Sequence, residues 1–189
     1  MLYNLCKVGG YVNYEVKTVV KEENMEDILY YFDMKSSKKD FERQVIYNYH
    51  TEGELRLIRS NNYSKLNFRD NDSDDNVYIS KKYEKDLIDM FKNIGISVDF
   101  KRFRERYKYI YDVFYITIDK NIKTGNILRV KFNYTSESDK EVKLNKIKNL
   151  FNELEIEETN LEKFEEIYGK YRTSWNDLVG DIDEEDFLK

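Results

Sequence analysis

The sequence predicts an α+β fold built on an antiparallel sheet. Three observations support this. Short segments of alternating polarity recur along the chain, as half-buried strands require. Tight turns join several of them directly, which only antiparallel neighbours allow. Segments with helical spacing fall between groups of strands, with no regular βαβ alternation, no internal repeat and no linker.

The elements follow in order. Gly9-Gly10 opens the first strand. From there Tyr11, Asn13, Glu15, Lys17 and Val19 take one face, and Val12, Tyr14, Val16 and Thr18 the other. Glu22 to Phe32 reads as a helix through Met25, Ile28, Leu29 and Phe32. Asp33 to Asp40 reads as a polar connection. Strands are expected at Gln44–Tyr49, Glu54–Arg59 and Tyr63–Arg69, turned at Glu52-Gly53 and Asn61-Asn62. Asp70 to Asp75 is an acidic turn before a short strand at Asn76–Ile79. It lacks the glycine and final glutamate of a calcium loop. Ser80–Ile94 reads as a helix closed by Gly95. Strands at Ser97–Tyr107, Tyr111–Asp119 and Asn126–Tyr134 follow, the last pair turned at Lys123-Thr124-Gly125. Helices are expected at Ser136–Leu154, with Ser136 as cap, and at Asn160–Lys170. Tyr171 to Gly180 carries the anchors Trp175, Leu178 and Val179. The domain is read as residues 1–180, with 181–189 an acidic, frayed tail.

Composition narrows the function. The 189 residues carry 32 Lys and Arg against 37 Asp and Glu, a net charge of −5. An overall basic field for duplex nucleic acid or anionic lipid is therefore absent, and any anion site must be a local basic cluster. One cysteine, Cys6, and one histidine, His50, leave no disulfide and no zinc site of His and Cys ligands. His50 reads as a surface residue and Cys6 as a small apolar one. No segment approaches the ~20 apolar residues of a membrane helix. Met1–Gly10 lacks a signal-peptide core, so a cytoplasmic protein is expected. The reading leaves room for a homodimer.

The charged rows carry the chemistry. Glu15 and Lys17 share a face, as do Lys65, Asn67 and Arg69; Arg102, Arg104, Arg106 and Lys108; and Arg129 and Lys131. A solvated sheet surface produces such rows too. However, the Arg102–Lys108 strand also carries Lys101, Phe103, Glu105, Tyr107 and Tyr109, so both its faces are partly polar. A sheet closed into a tunnel, polar inside and packed by helices outside, accounts for mixed strands of this kind. Arginine rows lining such a space need a multiply charged anion, and phosphate fits guanidinium geometry.

Six segments in order carry a family resemblance. They are Asn13-Tyr14-Glu15-Val16-Lys17; Arg56 and Arg69 on consecutive strands; Arg104-Glu105-Arg106; Phe114–Asp119; Thr124–Val130; and Tyr171–Leu178. The chain resembles the CYTH superfamily, the triphosphate tunnel enzymes, and within it the class IV adenylyl cyclases. The resemblance implies an eight-stranded antiparallel β-tunnel with helices packed outside. It implies that Lys17, Arg56, Lys65, Arg69, Arg104, Arg106 and Arg129 bind phosphate. It assigns Glu15, Lys17 and Asp119 to catalysis, with Glu15 and Asp119 holding Mg²⁺ or Mn²⁺.

The sequence departs from that family at two metal positions. Asn13 stands where the family has its first Glu, and Arg129 where it has another. Asn offers one neutral oxygen, whereas Arg cannot ligate a cation and its charge opposes one. Two functions follow from the resemblance. One is an enzyme acting on a nucleoside triphosphate or polyphosphate, as a cyclase or a triphosphate hydrolase. The other is a metal-independent nucleotide binder that senses, sequesters or cleaves a signalling nucleotide. A plain interaction module with surface charge rows is the third reading, and the ordered motifs argue against it.

Overall fold

The computed structural model describes residues 7–8, 11–70, 74–157 and 161–189. Cys6 and Gly9-Gly10 lie outside the described residues, as do 71–73 of the acidic turn. Nine strands and five α-helices are assigned among the described residues. The strands are β1 (Lys7–Val8), β2 (Tyr11–Val20), β3 (Lys38–Tyr49), β4 (Glu54–Ser60), β5 (Ser64–Arg69), β6 (Asp74–Ile79), β7 (Val98–Tyr111), β8 (Phe114–Asn121) and β9 (Gly125–Tyr134). The helices are α1 (Met25–Lys35), α2 (Glu84–Asn93), α3 (Glu137–Glu153), α4 (Leu161–Val179) and α5 (Glu184–Phe187). Eight strands are substantial and β1 is a two-residue addition. The chain divides into two compact units.

Unit 1 comprises residues 1–41, 106–120 and 124–168. Its strands follow the order β1-β2-β9-β8-β7-β3, using the second half of β7 and the start of β3. β2 and β9 pair antiparallel from Val12↔Tyr134 to Val20↔Asn126. This register puts Tyr14, Val16, Phe132, Val130 and Leu128 on one face, as the alternation predicts. That face meets Ile116 and Ile118 of β8, Ile28 and Phe32 of α1, and Ile147, Leu150 and Phe151 of α3 in one core. Phe32 is fully buried and stacks on Tyr109 at 5.5 Å between ring centres. Ser136 caps α3 as expected, its hydroxyl accepting from the Asp139 N–H at 3.1 Å.

Unit 2 comprises residues 42–105, 121–123 and 169–189, with strand order β7-β3-β4-β5-β6. The β3–β4 and β4–β5 hairpins turn where the sequence places them. The Asn61-Asn62 turn is closed by the Ser60 hydroxyl, which accepts from the Asn62 and Tyr63 N–H groups. Tyr49 packs on Phe91 of α2, Phe100 on Tyr171 of α4, and Phe103 on Phe187 of α5. Gly95 ends α2 at φ +83°, with Gly95 N–H to Lys92 and Ile96 N–H to Phe91. These two bonds make a Schellman cap.

The structure corrects four expectations. The supposed polar connection at Asp33–Asp40 is instead the end of α1 and an exposed start of β3. The β7–β8 turn falls at Asp112-Val113, so β8 starts at Phe114 rather than Tyr111. Residues 181–189 are not frayed: α5 is tied down by Glu184, which accepts from Lys101 at 2.8 Å, and Leu188 is buried. Helix α4 also runs nine residues beyond the expected end at Lys170.

The close of α3 yields a prediction. Glu155 holds φ +52° in a second Schellman arrangement, with Ile156 N–H on Phe151 at 2.8 Å. Non-glycine residues pay for left-handed backbone. Glu155→Gly is therefore expected to raise unfolding free energy by ~0.5–1 kcal/mol in urea denaturation. A loss of stability would show that the exposed Glu155 side chain contributes more than its backbone strain costs.

Candidate functional site

The polar face of unit 1 is built by period two. On β2 it carries Asn13, Glu15 and Lys17; opposite them on β9 lie Asn133, Lys131 and Arg129. β8 adds Asp119 and the second half of β7 adds Arg106. The apolar core behind the sheet leaves these side chains only the other face.

Two carboxylates organise this face, and each is held by two cations. Asp119 is fully buried, and Arg106 donates to it from Nε at 2.6 Å and from Nη2 at 2.8 Å. Arg129 donates to the same carboxylate from Nη1. Glu15 is buried and meets Lys17 at 2.9 Å and Lys131 at 3.0 Å. Burial pushes the Glu15 carboxyl up, but the bonds and charges of Lys17 and Lys131 outweigh it and hold the group below the usual carboxylate range. Four cations, Lys17, Lys131, Arg106 and Arg129, thus gather around these two carboxylates.

This arrangement does not fit a divalent cation. Glu15 and Asp119, the expected metal ligands, spend their oxygens on ammonium and guanidinium groups. Arg129 sits on Asp119 itself, and its charge opposes a metal there. Among the described residues there is no group of three or more His, Cys, Asp or Glu placed to hold a metal. The structure also refines the expected geometry. Arg129 lies beside Lys17 on the neighbouring strand and meets Asp119, while Lys131 is the cation that meets Glu15.

The remaining predicted cations belong to unit 2 and share one of its sheet faces. Arg56 lies opposite Asn48 on β3 and Asn67 on β5, and bonds to Glu54 at 2.6 Å. Lys65 lies opposite Ile58 and Arg69 opposite Glu54. Arg104 is buried and donates to Gln44 Oε1 at 2.6 Å; the Gln44 amide in turn donates to Glu42 at 2.7 Å. Glu105 belongs to the opposite face and pairs with Arg43 at 3.2 Å.

Sequence reasoning missed Arg59. It follows the parity of Leu55 and Leu57 on β4, away from Arg56. There Arg59 is buried and donates to Glu84, Glu184, Glu185 and the Tyr47 hydroxyl. Glu84 also accepts from the Ser64 hydroxyl and pairs with Lys81 at 3.2 Å. Burial raises both Glu84 and Glu184, but the surrounding donors prevail and both carboxyls lie below their usual range. Burial and the Glu184 charge push the Tyr49 hydroxyl up to about 12. An arginine on an apolar parity was the available signal. His50 is exposed, as expected.

No protein-family profile and no curated protein sequence matches the chain. Solved structures do match in shape. A proposed adenylyl cyclase of Hippeastrum, described as having a dominant triphosphatase activity, superposes with a TM-score of 0.58 at 12% identity, covering 82% of this chain and 95% of that one. A proposed adenylate cyclase of Vibrio parahaemolyticus gives 0.55 at 14% identity over 83% and 97%. A chain of the Schizosaccharomyces pombe Mediator head module gives 0.54 at 11% identity over 74% and 94%. The protein therefore has the CYTH, or triphosphate tunnel, fold: α+β with an antiparallel sheet of eight main strands. At these identities the likeness shows the fold alone, and one of the three neighbours is a chain of the Mediator head module, so function rests on the site.

Proposed function

We propose that the protein binds a phosphate-rich nucleotide or polyphosphate without a divalent metal, with arginine and lysine doing the work of the cation. The observation that carries this is Asp119: a fully buried carboxylate clamped by Arg106 and Arg129. Lys17, Arg106, Arg129 and Lys131 concentrate positive charge on one sheet face, and a polyanion suits such a cluster. Arg56, Lys65, Arg69 and Arg104 provide a second set of donors for the same class of ligand. No helix among the described residues is long and apolar enough to cross a membrane.

Chemistry on the ligand follows the same logic. The fold hosts enzymes that use a metal to draw charge from a phosphoryl group. In this chain Arg129 and Arg106 take the electrostatic part of that role, stabilising negative charge on phosphoryl oxygens. Such a site supports binding, or cleavage that does not depend on Mn²⁺. Metal-dependent cyclisation of ATP is the second reading, favoured by the adenylate cyclase-like neighbours and opposed by Arg129.

Incubation with ATP, GTP and tripolyphosphate, each in EDTA and in Mn²⁺, followed by anion-exchange product analysis, separates these readings. The expected result is little or no added turnover in Mn²⁺. Cyclic nucleotide or phosphate release that appears only with Mn²⁺ would overturn the proposal.

A further inference from the structure

One row of side chains in unit 2 offers more than charge. Asn48, Arg56 and Asn67 lie directly opposite one another on β3, β4 and β5, so they leave the sheet side by side on one face. Both asparagines are buried, each 7% exposed, and Arg56 is half-buried between them. Neutral amides add little to the holding of phosphate, so their place beside a cation on this face calls for another ligand group.

The bonds they make show which group. The Asn48 amide nitrogen donates to the Phe100 carbonyl at 3.3 Å. That bond fixes the orientation of the amide and leaves its Oδ1 as an acceptor with no partner among the described residues. A nearly buried acceptor without a donor is costly unless a ligand supplies one. Arg56 gives Nη2 to Glu54 at 2.6 Å and keeps Nε and Nη1 for a second partner. An acceptor beside a cationic donor matches an edge that sets N–H groups next to a carbonyl. Guanine has such an edge: N1–H and the N2 amino group lie beside O6, with N7 beyond it. Arginine reads O6 and N7 with two parallel bonds, the commonest specific contact to a base. Adenine fits less well, because asparagine reads it with both amide ends and the donor end of Asn48 is already spent. Uracil sets one N–H beside one carbonyl and so offers fewer partners of each kind.

We infer that Asn48 and Arg56 form a base-reading subsite, and that the phosphate-rich ligand is a guanine nucleotide. This rests on the phosphate-binding reading above, with Lys65 and Arg69, two residues to either side of Asn67 on β5, as the cations nearest to the row for its phosphates.

Calorimetric titration of GTP, ATP, UTP and tripolyphosphate in EDTA tests it, on wild type and on Asn48→Ala. Wild type is expected to bind GTP ~10-fold or more tightly than the other three, the discrimination that one good base contact provides. In Asn48→Ala the preference for GTP over ATP should disappear. Thermal melts check that the variant folds, and the wild-type series decides the question without it. ATP, UTP or tripolyphosphate that binds wild type as tightly as GTP would overturn this inference and leave the phosphate reading standing. A GTP preference that survives in folded Asn48→Ala would overturn the assignment of the subsite. Failure of all four ligands to bind would overturn both readings.

Discussion

Arg59→Ala is expected to cost about 3–5 kcal/mol of unfolding free energy, the range for removing one partner from a buried ion pair. The side chain is only 10% exposed and donates to Glu84, Glu184, Glu185 and Tyr47. Its removal leaves the buried Glu84 and the half-buried Glu184 with Lys81 and Lys101 as their remaining cations. Urea denaturation at neutral pH measures the loss. A change under 1 kcal/mol would mean that the network behaves as a solvated surface pair. The pH dependence carries its own sign. The Glu84 and Glu184 carboxyls are depressed in the folded state from an ordinary value of 4.5. Their contribution is therefore present above pH 4.5 and is lost as pH falls through the folded values. Wild type should lose stability on acidification through that window, and Arg59→Ala should lose less, because the cation that depresses both groups is gone.

Arg129→Glu is expected to change the site most. The substitution removes one guanidinium from Asp119 and sets a second carboxylate beside it. Losing a charge-assisted bond costs ~1.5–3 kcal/mol. Carboxylate repulsion of the ligand adds to that, so tripolyphosphate affinity in EDTA should fall by ~100-fold or more. Two neighbouring carboxylates are also what a divalent cation requires. The variant should therefore recover affinity in Mn²⁺, where wild type gains little. Unchanged binding in EDTA would place Arg129 outside the ligand's reach.

The polar rows of β2 and β9 were legible because both strands hold strict alternation over a full apolar core. Tyr14, Val16, Val130 and Phe132 have one face to bury, and that fixes where Glu15, Lys17, Arg129 and Lys131 point. Gly95 and Ser136 marked helix ends because each has a direct backbone role. Other features left no local signal. The start of β3 is exposed on consecutive residues, so Lys38–Phe41 shows no apolar period. The β7–β8 turn uses Asp112 at φ +51° in place of glycine. Arg59 was missed and the acidic tail misread for one reason. Glu184 lies 125 residues from Arg59 in sequence, and nothing local shows that a charged segment has a buried partner.

The same alternation leaves open how the carboxylates of that face are paired. Period two shows that Glu15 and Asp119 belong to a polar face, but not which cation reaches which carboxylate. Lys131 reaches Glu15, and Arg129 reaches Asp119. That pairing turns two expected metal ligands into anchors for the cations around them.

Calorimetric titration of tripolyphosphate into wild-type protein in EDTA tests the central claim most directly. The account predicts saturable binding in EDTA, with an affinity changed less than about threefold, under ~0.7 kcal/mol, when Mn²⁺ replaces the chelator. Heat of binding that appears only when Mn²⁺ is present would contradict it, and would return Glu15 and Asp119 to the role of metal ligands.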